Sequence, residues 1–438
     1  MLYTSGSQFC DWSADYRLFE KSRFAPGELF AVARRRTLDA LGTGDDIVAH
    51  FDDTRCRRWG KKIAGTSWQR DPLGPHFRTQ FLWGNRYLQI SMSLPEGQTP
   101  CAARAIPVDL QHCPTARKPR PKDSLEDWQK WKALRKEQRL TCVAAQRLAQ
   151  LRSDLDSDPS GKSRVLAVSV DGGFTNTTVF RSIPANTTLI GRIRKDAKLY
   201  APPPPQPAGS RGAGRRKVYG ELLPTPEAIR KDQTVGWSSV QAWGAGKVHD
   251  FQIKTIPLVR WRGAGKQDMR LVVIAPLGYR LTKTSPVLYR EPAYLICTDP
   301  NLALEKLLQY YLWRWGIEVN FRDLKTTLGM GEAQVWTPKS VALVPAFIAA
   351  AYAYLQLACH ATYGAKGQCP LPNPKWIKQK QPQERISTAQ MVKLLRGDLW
   401  GRALGVSNIS DFATTTRHDM KSEKFQTHLK SAVIYAMR

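Results

Sequence analysis

Histidine is scarce in this 438-residue chain, with seven copies, and its eight cysteines are scattered with no C-x-x-C pair. Zinc fingers and ribbons need such pairs, so no site of that kind is expected. Nor do so few cysteines in so long a chain make a disulfide scaffold; they read as reduced and buried in a cytoplasmic protein. The N-terminus, MLYTSGSQFCDWSADYRLFEKSR, lacks a basic stretch followed by an apolar run, so export through a cleaved signal is not expected. Long apolar runs are missing too, with the exception of Val341 to Cys359. There, Pro345, Gln356 and many small residues point to a buried core helix and not to a membrane span, and no membrane partner is expected. Acidic residues are the remaining shortage: 37 Asp and Glu against 66 Lys and Arg leave a net charge of +29. That exceeds what solubility requires and points to a polyanionic partner. Apolar material is ample at 42%, which excludes wholesale disorder and suffices for two or three packed units.

The pattern along the chain changes character several times. Pro26-Gly27-Glu28 opens a helix through Leu29, Phe30, Val32 and Ala33 that ends near Leu41-Gly42, and no DNA-reading motif is evident in residues 1–45. From Asp46 the period shortens to that of strands: IVAHF running into Asp52, then FRTQFLWGNRYLQISMSL, then AIPVDL, a three-stranded antiparallel meander. Ser124 and Asp127 form a capping box for one long helix, whose stripe of Trp128, Trp131, Leu134, Leu140, Val143 and Leu148 is placed to cover a sheet face. The strand VLAVSVD follows and ends in Asp171. Three strands, a helix and a strand ending in an acid is the order of a ribonuclease H-like α/β core.

Between Thr188 and Asp299 the sequence is richer in strand candidates (VQAW, DFQIKTIPLV, MRLVVIAP, AYLICTD) and carries the proline-rich basic loop APPPPQPAGSRGAGRR. Asp299-Pro300 then caps the helix NLALEKLLQYYLWRW, which passes through Gly316 into IEVNFRDLKTTLG and stops at Gly329. The expected fold is therefore α/β: a ribonuclease H-like catalytic core interrupted by a β-rich insertion between the second and third acids, with helical N- and C-terminal segments. The divisions fall at 1–45 (helical segment), 46–187 (core, first part), 188–299 (insertion), 300–362 (core, second part) and 363–438 (basic helical segment, with a helix near Ser387 to Leu395).

Three positions place an acid at the edge of an apolar element: Asp52 or Asp53 after the first strand, Asp171 before Gly172-Gly173, and Glu318 at a helix start. Carboxylates held this way suit hard divalent cations, and two ions about 3.5–4 Å apart activate an attacking oxygen and stabilise a leaving one. Tyr311, Arg314, Glu318 and Lys325 follow the order Tyr-x2-Arg-x3-Glu-x6-Lys, so that at helical pitch Glu318 and Lys325 stand about 10 Å apart on one face. The bland reading of the same residues is a solvated helix with an i, i+4 Arg314–Glu318 pair worth about 0.2–0.5 kcal/mol.

YLWRWGIEVNFRDLKTTLG matches that signature at all four positions, and with it the sequence resembles the DDE transposases of bacterial insertion sequences, in the branch the signature marks. FDDTRCRRWGKK resembles the first-acid region of those proteins and AVSVDGGF the second, so the resemblance spans roughly residues 45 to 360. It implies a DNA transposase that cuts the ends of an insertion sequence and transfers the 3′-hydroxyls into target DNA. Asp171 and Glu318 would bind two Mg²⁺ or Mn²⁺ ions with the first acid. Asp52 with Thr54 fits the family's Asp-x-Thr pattern, and strand alternation points Asp53 away; Asp53 stays an alternative. Tyr311, Arg314 and Lys325, with Arg322 on the same helix, would contact DNA. An aromatic of the insertion would stack on a flipped base, with Trp237, Trp243 and Trp261 as candidates and ordinary core packing as the plainer reading of each.

The implied partners are double-stranded DNA, both transposon ends and target, and a second copy of the chain in a synaptic complex, at the nucleoid in bacterial cytoplasm. Relatives carry a longer N-terminal DNA-reading domain, so end recognition would fall to basic runs: Arg34 to Arg36, Arg55 to Lys62, Arg117 to Lys122 and Arg211 to Lys217. Two other readings share these features: a domesticated DNA-binding protein that no longer cuts, and a stand-alone structure-selective endonuclease.

Overall fold

The computed structural model describes residues 9, 11, 13–21, 23–42, 44–71, 73–75, 77–204, 217–282, 284–371 and 385–403. Residues 211–216 of the last basic run, and 372–384 and 404–438 of the C-terminal segment, lie outside the described residues.

Two helices, α1 (Ser13–Glu20) and α2 (Pro26–Ala40), precede the sheet. Proline in the first turn starts α2, which buries Phe30, Ala33, Thr37 and Leu38. Strand β1 (Ile47–Arg57) pairs antiparallel with β3 (Phe81–Pro95), which pairs antiparallel with β4 (Ala103–His112). A short strand, β2 (Ser67–Arg70), joins the far end of β3. The first strand does not stop at its acids. The partner strand continues opposite it, with Asp52 facing Gln89 and Arg57 facing Gly84, so the ladder carries β1 five residues further.

The long helix expected after β4 is two helices, α3 (Leu125–Glu137) and α4 (Leu140–Asp156), with Arg139 between them in extended conformation. The capping box forms as its residues dictate, Asp127 N–H donating to Ser124 Oγ at 3.1 Å and Ser124 N–H to Asp127 Oδ2 at 3.2 Å. The apolar stripe, however, jumps six residues from Leu134 to Leu140. Six residues is about 240° of helical rotation away from alignment, so one straight helix cannot place both halves against the sheet. Only α4 does so, burying Leu148, Leu151 and Leu155, while α3 buries nothing and its Trp128 and Trp131 pack edge-on against each other.

Strand β5 (Leu166–Val170) is buried throughout and lies parallel to both β1 and β6 (Thr187–Arg192), with the short helix α5 (Thr177–Phe180) between them in sequence. The β-rich stretch continues the same sheet. Its members are β7 (Leu199–Tyr200), β8 (Ser238–Gly244), β9 (Lys247–Trp261), β10 (Asp268–Ile274) and β13 (Ala293–Cys297), while β11 (Gly278–Tyr279) and β12 (Leu288–Tyr289) form a separate ribbon. The large sheet runs β2-β3-β1-β5-β6-β13-β10-β9-β7, with β4 on β3 and β8 on β9. A division at 187/188 therefore cuts through β6, whose pairing to β5 and β13 makes the two regions one sheet. Helix α6 (Pro226–Lys231) lies over β10.

Four helices complete the described residues: α7 (Leu304–Trp313), α8 (Trp315–Thr326), α9 (Pro338–Tyr363) and α10 (Thr388–Ala403). Helix α7 begins later than its Asp-Pro signal suggested, because the Asp299 carboxylate instead accepts from Asn301 N–H at 2.8 Å in a turn. Helix α9 is long and apolar enough to cross a membrane by length and composition, yet it packs against α2 and β4 and buries Val341, Leu343, Ala346, Ala349, Ala350 and Ala353. The architecture is mixed α/β, consistent with a ribonuclease H-like core. Its sheet has two differently covered faces: Ala49, Phe51, Leu88 and Ile90 pack with α4, whereas Val48, Ala167, Ile190 and Leu295 pack with Leu307, Leu308 and Trp313 of α7.

Candidate active site

Alternation along β1 sends Asp52 to the same sheet face as Val48 and His50, the face covered by α7 and α8. Asp171 follows β5 on the strand next to it. The turn after β5 holds this acid in place: Gly173 and Phe174 N–H donate to its Oδ1 at 3.0 and 3.2 Å, and Thr175 Oγ1 donates to its backbone carbonyl at 2.9 Å. Thr175 can sit there only because residue 191 on β6 is glycine, since a Cβ at 191 would lie 2.4 Å from Thr175 Oγ1.

Glu318 arrives from the helical side. Tyr310 and Lys306 on α7 both bond the Asp46 carboxylate at the start of β1, and Trp313 Nε1 donates to the Cys101 carbonyl at 2.8 Å. Helix α8 then comes down on β4, where a Cβ at Gly316 would meet Ala105 Cβ at 2.9 Å, and Asn320 Nδ2 donates to the Ala105 carbonyl at 2.8 Å and to Ser91 Oγ at 3.2 Å. The result is a cleft of about 660 Å³ whose lining includes Asp52, Asp171, Glu318, Tyr311 and Arg314.

Arg314 is the hinge of this arrangement. It is the residue at which α7 and α8 meet, and its guanidinium donates to Glu318 Oε1 at 2.8 Å and lies 3.5 Å from Asp52 Oδ2. Burial alone would pull its basicity down, but Tyr311, Glu318 and Asp52 around it hold the cation above its ordinary value. One cation does not balance the acids. The Asp52 carboxyl is pushed up to about 7, first by burial and then by the charge of Asp171, with Arg314 only partly opposing. Beneath it His50 is fully buried, bonded through Nε2 to Ser93 Oγ at 2.7 Å, and pushed down to about 3 by burial and by Arg314, so it stays neutral.

The donor set, all carboxylate oxygen, suits Mg²⁺ or Mn²⁺, which take one or two carboxylates and complete their shells with water and substrate phosphate. The raised Asp52 carboxyl fits such a cation, because burial and the charge of Asp171 beside it oppose its ionised form and a bound cation would favour it. Asp52 and Asp171 could hold it together. Among the described residues no three of His, Cys, Asp and Glu stand close enough together to hold a metal ion between them, and Arg314 lies between Asp52 and Glu318.

Asp53 lies apart from this cleft. Arg86 grips it with two hydrogen bonds of 2.7 and 3.0 Å, and Arg55 adds an ion pair at 3.4 Å. Lys325 does not line the cleft either. It is half-buried toward Cys56 and Arg55 at the other end of β1, and burial pulls its amine down. Arg322 is exposed and paired with Asp323, beside a different pocket. None of the three tryptophans reaches the acids: Lys254 Nζ sits 4.5 Å over the Trp237 ring, Trp243 exchanges backbone bonds with the Gln309 side chain, and Trp261 packs edge-on against Phe180. Of the basic runs, Arg34 is tied to Asp154, Arg55 to Asp53, and Arg58 is buried.

Arg192, Arg194 and Lys195 also line the cleft and were not singled out from the sequence. Their signal was the R-I-R-K run at the end of β6, adjacent in the sheet to the strand that ends in Asp171. Arg194 is paired with Asp196 at 2.9 and 2.8 Å, and Arg230, which also lines the cleft, with Glu227 at 2.8 and 2.7 Å.

Residues 11–267 match the sequence model of the DDE superfamily endonuclease family. The match takes in Asp52, Asp53 and Asp171 and ends before Glu318, so the third acid stands on its motif and on the cleft. No curated protein matches the chain.

Proposed function

The chain belongs to the DDE superfamily endonuclease family, and on that premise we propose that it is a DNA transposase, which cuts at the ends of an insertion sequence and joins the freed 3′-hydroxyls to target DNA. The observation that carries this reading is the meeting of Asp52, Asp171 and Glu318 in one cleft with Tyr311 and Arg314 of the Tyr-x2-Arg-x3-Glu-x6-Lys signature. Asp52, Asp171 and Glu318 would hold two Mg²⁺ or Mn²⁺ ions, whose charge polarises the scissile phosphate and activates the attacking oxygen.

The rest of the chemistry belongs to the chain. Asp52 binds a cation as carboxylate, so its raised carboxyl couples ion binding to loss of a proton near pH 7. Arg314 covers the acids when the cleft is empty and turns its planar fork to the phosphate when DNA enters, a bidentate contact that lysine cannot reproduce. Arg192 and Lys195, and Arg194 once it exchanges Asp196 for a phosphate, clamp the backbone of the strand in the cleft. Neutral His50, locked to Ser93, supports Asp52 from below without adding charge to the site. Cutting two ends together calls for two copies of the chain on DNA, at the nucleoid of a bacterial cell.

Incubating the full chain with DNA carrying its own element's ends and Mg²⁺ or Mn²⁺, then resolving nicked, hairpin and joined products, tests the proposal. Joined products are expected. Nicks without joining would mark a stand-alone endonuclease, and tight binding without any cut a protein that no longer acts as an enzyme.

A further inference from the structure

A cluster of exposed aromatic side chains lies far from the acids, at the distal end of the β1–β3 hairpin. Trp59 is 87% exposed, Trp68 68%, Phe77 92% and Phe81 62%. Single exposed apolar residues are ordinary, but several large rings in one stretch mark a binding surface. Two of them stand on a paired ladder. Across the β2–β3 ladder Trp68 stands opposite Trp83 and Arg70 opposite Phe81, with the two indoles edge-on at 5.6 Å.

The backbone beneath Trp59 is pinned from several sides. Trp83 Nε1 donates to the Gly60 carbonyl at 3.3 Å, and the buried Arg58 guanidinium donates to the carbonyls of Gly331 and Ala333 at 3.0 and 2.8 Å. A backbone bond of 2.9 Å from Ala64 to Trp336 brings a further exposed ring, 65% accessible, beside the same loop. Aromatic side chains have only two rotatable angles, so on a backbone fixed in this way they lose little conformational freedom when something stacks on them.

The charge around these rings selects the occupant. Arg57, Lys61, Lys62, Arg70 and Arg78 are all exposed, and Asp71 is the one acid in the sequence between Arg57 and Trp83. A second copy of this chain would bring its own excess of +29 to the contact. Aromatic faces interleaved with cations fit a polynucleotide with unpaired bases, where bases stack on rings and phosphates meet Lys and Arg. Position agrees: the five residues from Asp52 to Arg57 span about 17 Å of strand, about five base-pair steps of duplex.

We propose that this hairpin tip is a second nucleic-acid site, a stacking platform for unpaired bases of DNA that extends beyond the cleft. The platform goes beyond the cleavage reading and requires neither metal nor cutting, so it is measured in EDTA. The full chain, wild type and with Trp59→Ala plus Trp68→Ala, is titrated into a labelled oligothymidylate and into a blunt duplex of equal length. Stacking energies of this kind predict a loss of about 10-fold or more on the oligothymidylate, against a change within about 2-fold on the duplex. Trp59→Phe plus Trp68→Phe, which keeps the faces, retains most of the affinity. Both positions are solvent-facing, and unchanged far-UV circular dichroism and melting show that the variants fold.

Equal losses on both probes, or none on either, overturn the platform. So does a dimer in sedimentation that the alanine variant dissolves, or a binding loss seen with anionic vesicles alone. Asp171→Ala, which must not cut if the cleft reading holds, binds oligothymidylate like wild type. A cutting Asp171→Ala chain would sink the cleft reading and leave the platform standing.

Discussion

Asp52 and Asp53 are consecutive residues on one strand with opposite surroundings. Asp53 is gripped by Arg86 and Arg55, two cations for one carboxylate. Asp52 is buried deeply enough to disfavour its charge, feels the charge of Asp171, and shares Arg314 with Glu318, so its carboxyl rises to about 7. The Asp53 cluster resembles a structural ion pair, balanced and geometrically complete. Asp52 is short of positive charge at close range and is held away from its ordinary state, which is the condition expected of a site awaiting a cation and a phosphate.

The largest test of that contrast is to remove each acid in turn. Asp52→Ala, Asp171→Ala and Glu318→Ala are each expected to take strand cleavage to background while leaving DNA binding near wild type. Asp53→Ala should still cut; it strands two arginines, at a cost of about 1–3 kcal/mol in urea unfolding. Loss of cleavage in Asp53→Ala with full activity in Asp52→Ala would reverse the assignment.

Arg314→Lys comes next. Charge is conserved but the fork is lost, so end processing should fall by about 10²-fold or more if the guanidinium grips a phosphate in the transition state. Were Arg314 merely an intrahelical partner of Glu318, the lysine variant would cut normally in a time course and melt slightly lower. Lys325→Ala gives a smaller effect. Because the amine lies toward Cys56 and Arg55, the cleavage rate on bound DNA should hold within about 3-fold, and the salt slope of binding should flatten by about one unit if it meets a phosphate.

The smallest effect is in stability against pH without metal. A carboxyl raised from its unfolded value of 3.8 to about 7 contributes stability that is full below 3.8 and lost as pH rises through about 7. Wild type in EDTA should therefore lose about 1 kcal/mol between pH 6 and 8 from this group, and Asp52→Asn should not. A wild-type curve that rises over the same window in urea unfolding would contradict the crowded-acid picture.

Much of the fold was legible because its signals are local. The capping box at Ser124, the proline-started helix at Pro26, the buried strand before Asp171 and the glycine stop at Gly329, which adopts φ +67°, each depend on a few neighbouring residues. The misreadings share a different cause. The length of β1 depends on a partner strand about 35 residues away, the break between α3 and α4 on which stripe finds the sheet, and the continuation of the sheet past β6 on pairing with β13 about 100 residues later.

The candidate site divides in the same way. Composition and period already restricted the chain to a basic α/β protein with acids at strand and helix ends, and alternation allowed only one of Asp52 and Asp53 to share a face with Asp171. Which face that would be, that Arg314 would bridge two of the acids, that Lys325 would turn toward Cys56, and that Arg192, Arg194 and Lys195 would line the same cleft were decided only when α7 and α8 settled on the sheet. Periodicity assigns a residue to a side of its own element. Its neighbours and its charge balance depend on which elements pack against that side, which distant parts of the chain decide together.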